Sequence, residues 1–118
     1  MNESAEITIK ELSDMAVGSY LLADVRDEIS FGYGAIPGAV SMPNIVELAK
    51  EGTLAKDKKY ILYCMKGVAS ADAAIELREL DYDAVSLAGG YSAWLMASFG
   101  GDDKQEDIEK SLRKGRFH

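Results

Sequence analysis

The chain contains a single cysteine, in the segment Cys64-Met65-Lys66-Gly67-Val68-Ala69-Ser70. It directly follows Tyr60-Ile61-Leu62-Tyr63, the stretch most given to β-structure. After it, Ala73, Ala74, Leu77 and Leu80 recur at helical spacing. Open parallel sheets bind ligands outside the carboxyl ends of their strands, and a cysteine between a buried strand and a helix stands at such an end. The residues after it can curl so that several backbone N–H groups converge on an anion at a helix start. Such a nest favours thiolate over thiol and can bring a cysteine pKa from about 8.5 into the ~3.5–7.5 range. Gly67 permits the tight turn, and Lys66 adds a mobile positive charge for an incoming anion. The expected site is Cys64 as nucleophile, with Met65, Lys66, Gly67, Val68, Ala69 and Ser70 around the substrate. An isolated free cysteine is more often an inert buried hydrophobe. The strand-loop-helix setting reverses that balance.

The elements that hold this loop alternate between strand-like and helical patterns, which reads as α/β with a mostly parallel sheet. Residues 7–9 form a short first strand and 10–16 a short helix. Residues 20–25 are a nearly continuous apolar run, the pattern of a strand buried on both faces. Gly32, Gly34, Pro37 and Gly38 punctuate a loop. Residues 39–42 make the third strand, 45–50 a helix of about two turns, and 60–63 the fourth strand. The helix after the cysteine covers 70–80, the fifth strand 84–87, and a last core helix 91–97, with Trp94 as its anchor. One domain over residues 1–100 follows, and Gly100-Gly101-Asp102-Asp103 marks a break. Beyond it, residues 101–118 are expected to be a polar tail or short helix, with Ile108 and Leu112 one turn apart.

Composition excludes several classes. A length of 118 residues suits one ordinary domain. The net charge of −7 argues against a nucleic-acid partner, which needs a basic surface to displace counterions. It also leaves no polybasic patch for an anionic membrane. The first ten residues are acidic where a leader would be positive, and no apolar run approaches the length of a membrane span. One cysteine allows no intrachain disulfide and no zinc cluster. A reducing, cytoplasmic setting is the expectation.

The order of the motifs resembles the rhodanese (sulfurtransferase) domain over about residues 7–97. Asp24-Val25-Arg26 is similar to the family's Asp-Val-Arg after its buried strand, and Gly34-Ala35-Ile36-Pro37-Gly38-Ala39 to its Gly-His-Ile-Pro-Gly-Ala block. The segment from Cys64 to Ser70 resembles the six-residue active-site loop, and Gly89-Gly90-Tyr91-Ser92-Ala93-Trp94 the closing Gly-Gly-x-x-x-Trp motif. Each block alone is weak; four in order are strong. The resemblance implies a five-stranded, mostly parallel sheet with helices on both faces. It also implies a sulfane-sulfur cycle through a Cys64 persulfide, its charge held by the amides of residues 65–70. Such a cycle uses no metal or organic cofactor. Its partners are a small donor such as thiosulfate and a thiol or cyanide-like acceptor, a partner protein being a further candidate. Oligomeric state is left open. Asp24 and Arg26 could assist anion binding from behind the loop, although a structural ion pair is the stronger expectation. Two departures bear on substrate preference: Ala35 replaces the usual histidine, and Ala69 stands where many members carry arginine.

A cysteine phosphatase or arsenate reductase also puts its cysteine at a strand-to-helix loop, but needs an arginine six positions later to clamp the oxyanion. Position 70 is serine. A non-catalytic module of the same fold, or a persulfide carrier serving a partner, is the remaining alternative, because fold does not fix function.

Overall fold

Side-chain parity along the strands decides what each face of the sheet packs against. A computed structural model describes residues 5–99. In chain order the elements are β1 (Glu6–Ile7), α1 (Ile9–Ser13), β2 (Leu21–Asp24), α2 (Glu28–Tyr33) and β3 (Val40–Ser41). Then come α3 (Ile45–Glu51), β4 (Lys59–Tyr63), α4 (Val68–Glu79), β5 (Asp83–Leu87) and α5 (Gly90–Ser98). The sheet order is β1-β5-β4-β2-β3, and every pairing is parallel. Successive residues of a strand point to opposite faces. Ala23, Tyr60, Leu62 and Ala84 therefore meet Ile45 and Ala49 of α3 and Ala74 and Leu77 of α4. Leu22, Ile61, Tyr63, Val85 and Leu87 meet Leu12 of α1, with Tyr91 and Trp94 of α5 packed alongside. The fold is α/β with helices on both faces, and β4, buried on both, ends one residue before Cys64.

Local chemistry moved several boundaries. The first strand stops at Ile7 instead of running through Ile9, because Thr8 caps α1. Thr8 Oγ1 accepts from Glu11 N at 3.0 Å while Glu11 Oε1 accepts from Thr8 N at 2.8 Å, a reciprocal capping box. That helix closes at Ser13, short of residue 16. Gly32 lies inside α2 and not in a loop: Asp27 accepts from Ser30 N at 2.8 Å and starts a turn that the glycine tolerates. Helix α4 begins at Val68, two residues earlier than its apolar periodicity indicates, with Gly67 in the left-handed region before it. The segment 101–118 lies outside the described residues. Among the described residues no helix is long and apolar enough to cross a membrane.

A buried ion pair closes the end of β2. Asp24 is fully buried; its Oδ1 accepts from Arg26 N at 2.9 Å and Nε at 3.0 Å, and its Oδ2 accepts from Nη2 at 2.7 Å. Arg26 Nη2 also donates to the Gly34 carbonyl at 2.6 Å, tying β2 to the loop before β3. Burial alone would raise the Asp24 pKa, but hydrogen bonds from Arg26 and Tyr63 outweigh it and hold the carboxyl below its ordinary 3.8.

Removing one member strands a buried charge, so Asp24→Asn should lower unfolding stability by about 3–5 kcal/mol in urea titrations. The folded pKa is depressed, so the pair's contribution is full above the unfolded value of 3.8 and is lost as pH falls through the lower folded value. The variant should lack this acid-dependent component.

Candidate active site

The sulfur of Cys64 lies just past the last residue of β4, and the residue is 8% exposed. Sγ accepts from Gly67 N at 3.1 Å and Ser70 N at 3.3 Å, and stands 3.4 Å from Ser70 Oγ. Ser70 Oγ in turn meets Ser86 Oγ of β5 at 2.7 Å, both residues fully buried. Desolvation is the largest single influence on the thiol and raises its pKa. The Ser70 hydroxyl with the amides of Ser70, Gly67 and Lys66 outweighs it, and the Cys64 pKa falls below the ordinary 9.0.

The carbonyls at the start of the loop are held away from the sulfur by α5. Tyr91 N donates to the Cys64 carbonyl at 2.8 Å, and Ser92 N to the Met65 carbonyl at 3.0 Å. A planar trans peptide puts its N–H opposite its C=O, so fixing these carbonyls toward α5 turns the N–H groups of Met65 and Lys66 the other way. The Lys66 amide is one of those that lower the Cys64 pKa. Close backbone approach demands glycine at two points. A Cβ on Gly90 would clash with the Cys64 carbonyl and come within 2.9 Å of the Met65 carbonyl. A Cβ on Gly67, where φ is +95°, would come within 2.9 Å of Gly89 N.

Of the expected site residues, the loop brings Gly67 and Ser70 inward to the sulfur. It leaves Met65, Lys66, Val68 and Ala69 exposed on the rim. Asp24 and Arg26 adopt the structural pairing, and the Arg26 guanidinium also lies 4.3 Å from the Tyr91 ring centre, Tyr91 stacking on Trp94 at 5.8 Å. A cavity of about 230 Å³ beside Met65 is lined by Arg26, Ser30, Tyr33, Gly34 and Tyr91. Tyr63 is a buried strand residue whose hydroxyl accepts from Ile36 N at 3.0 Å, and burial raises its pKa strongly. Ser86 and Gly90 are absent from the expected site. The polar Ser86 within the apolar run 84–87, and the doubled glycine after it, were the available signals. Among the described residues no cluster of three or more His, Cys, Asp or Glu side chains could hold a metal ion.

Comparison with known proteins agrees with this architecture. A family model described as the rhodanese-like domain matches residues 8–97. The thiosulfate sulfurtransferase GlpE of Shewanella oneidensis is 33% identical over 96 residues, covering 80% of this chain and 95% of its own length. The probable adenylyltransferase/sulfurtransferase MoeZ of Mycobacterium tuberculosis is 36% identical over 97 residues and 78% of this chain, which spans only 25% of that protein. A rhodanese-related protein of Thermoplasma volcanium superposes with a TM-score of 0.67 at 27% identity, covering 82% of this chain and 94% of its own.

The hydrogen bonds to sulfur give a direct expectation. The pH profile of Cys64 alkylation by iodoacetamide should have its midpoint below 9.0, and Gly90→Ala, which displaces the loop carbonyls, should move it back toward that value. A wild-type midpoint at or above 9.0 would indicate an inert buried thiol.

Proposed function

The chain belongs to the rhodanese-like domain family, and on that premise we propose that it is a sulfurtransferase carrying sulfane sulfur as a persulfide on Cys64. The observation that carries the reading is the sulfur's setting at the mouth of the sheet, where hydrogen bonds from Gly67 N and Ser70 N favour its thiolate form. The similarity to proteins named as sulfurtransferases supports it.

The Cys64 thiolate attacks the outer sulfur of thiosulfate. A new S–S bond forms, the S–S bond of thiosulfate breaks, and sulfite leaves with the bonding pair. The persulfide's outer sulfur, bearing the negative charge, is then attacked by cyanide or a thiolate; its bond to Sγ breaks, and the Cys64 thiolate returns. The cycle is redox-neutral overall and is nucleophilic catalysis with a covalent intermediate, without call on a metal or cofactor. Loop amides of residues 65–70 hold the charge in both states. Lys66, exposed on the rim, meets the incoming dianion, which a thiolate would otherwise repel. A thiol that cycles through a persulfide suits a reducing compartment, and a cytoplasmic setting is part of the proposal.

A second reading, a persulfide carrier serving a partner protein, draws on the apolar side chains exposed on the loop and on α2. Tyr33 is 89% exposed, Ile29 73%, Val68 71% and Met65 43%. Transfer to small thiols that is slow beside transfer to a protein acceptor would favour it.

Thiosulfate–cyanide turnover, read as thiocyanate, tests the main reading. Cys64→Ser should abolish it while the protein stays folded, because the chain has no other thiol and an unassisted hydroxyl is a poor substitute. Lys66→Ala should lower kcat/KM for thiosulfate about 10-fold, the scale of one charge-assisted contact, and affect an uncharged persulfide donor less. An equal loss with both donors would mean that Lys66 shapes the loop instead of guiding the anion.

A further inference from the structure

Ser86 is a hydroxyl where the core would otherwise be apolar. Parity along β5 puts it, like Ala84, on the face covered by α4, and it is fully buried between its paired residues Leu62 of β4 and Glu6 of β1. Among the described residues, the hydrogen bond of Ser86 Oγ is with Ser70 Oγ at 2.7 Å, and Ser70 Oγ reaches the sulfur at 3.4 Å. Buried hydroxyls that spend hydrogen bonds on each other gain little over an apolar pair, so the arrangement calls for a reason.

Counting protons supplies it. Sulfur, Ser70 Oγ and Ser86 Oγ form a chain with two links. With a thiolate there are two hydroxyl protons, one for each link: Ser86 donates to Ser70, and Ser70 donates to sulfur. A thiol brings a third proton for which the chain has no acceptor. Every proton of the chain therefore finds an acceptor within it only when the sulfur is charged. We infer that Ser86 is a positioning residue for the Cys64 thiolate, its hydroxyl donating to Ser70 Oγ and so fixing Ser70 as a donor to the sulfur. Its use in catalysis rests on the sulfurtransferase reading; its effect on the thiolate does not.

The other charged or titratable groups around the sulfur are placed differently. Asp24 and Arg26 after β2 are paired with each other, and Tyr63 of β4 lies on the opposite face with its hydroxyl at Ile36 N. Lys66 in the loop and Asp72 in the second turn of α4 are exposed, while Tyr91 of α5 stacks between Arg26 and Trp94. None of them contacts either serine hydroxyl.

The test is the pH profile of iodoacetamide alkylation, with no sulfur donor present, in wild type, Ser86→Ala and Ser86→Thr. The alanine variant should raise the Cys64 midpoint by about 0.5–1 unit, the scale of a weakened hydrogen bond to a charged group. The threonine variant, which keeps the hydroxyl, should restore it. A merely structural role would lower the urea midpoint of Ser86→Ala and leave the alkylation midpoint in place, and that result overturns the inference. If Ser86→Ala does not fold, the unaltered protein decides. The ¹³Cβ resonances of Ser70 and Ser86 should titrate together with the Cys64 midpoint, and a flat Ser86 resonance overturns it. A shifted midpoint in a protein that never transfers sulfur would support Ser86 and contradict the sulfurtransferase reading alone.

Discussion

Two backbone hydrogen bonds, from Tyr91 N to the Cys64 carbonyl and from Ser92 N to the Met65 carbonyl, join the end of β4 to the first turn of α5. A rigid peptide plane then turns the Met65 and Lys66 amides away from α5, and the chain curls on so that Gly67 N and Ser70 N reach the sulfur. The start of the nest is thus held from outside the loop, by residues 27 positions further along. This explains why the glycines fall where they do. Gly90 lets α5 come close enough for its amides to reach, and Gly67 lets the loop pass against Gly89. The negative sulfur gains hydrogen bonds that cost no reorganisation when charge develops, which is the property an anionic intermediate needs.

The rest of the fold makes that crossing reproducible. With every pairing parallel, the carboxyl ends of β2, β4 and β5 lie at one edge of the sheet. Tyr63 there contributes its carbonyl to Val25 N at 2.9 Å and its hydroxyl to Ile36 N, while Asp24 and Arg26 lock the loop after β2. Arg26 extends the lock to α5 by lying on the ring of Tyr91, the same residue whose amide holds the Cys64 carbonyl. An ion pair at the end of one strand and a nest at the end of the next are mechanically one structure. Tyr91 is the shared part.

What the sequence revealed, and what it hid, follows from the range of the interactions. The β4 strand and the helix after it were legible because a continuous apolar run and a 3.6-residue period are local properties. Ser70 was in view only as a backbone donor; its hydroxyl acts as well. The strand-prone Ile7-Thr8-Ile9 misled because β-branched composition spoke for a strand, while Thr8 and Glu11 formed a capping box. Gly32 read as a loop residue although Asp27 had already set a helix start. Ser86 was hidden for a different reason. Its partner lies 16 residues away on a helix, and a single polar residue in an apolar strand does not name the group it will meet. Gly89 and Gly90 were visible as a strand end and a motif, but their closeness to Cys64 and Gly67 exists only in three dimensions.

The central claim is that Cys64 takes up and gives back one sulfur atom. Intact-mass spectrometry of the unaltered protein asks this directly, after incubation with thiosulfate and again after cyanide. The account predicts a gain of one sulfur, mapped to the peptide containing Cys64, and its complete loss to cyanide. An unchanged mass after thiosulfate, or an added sulfur that survives cyanide, would contradict it.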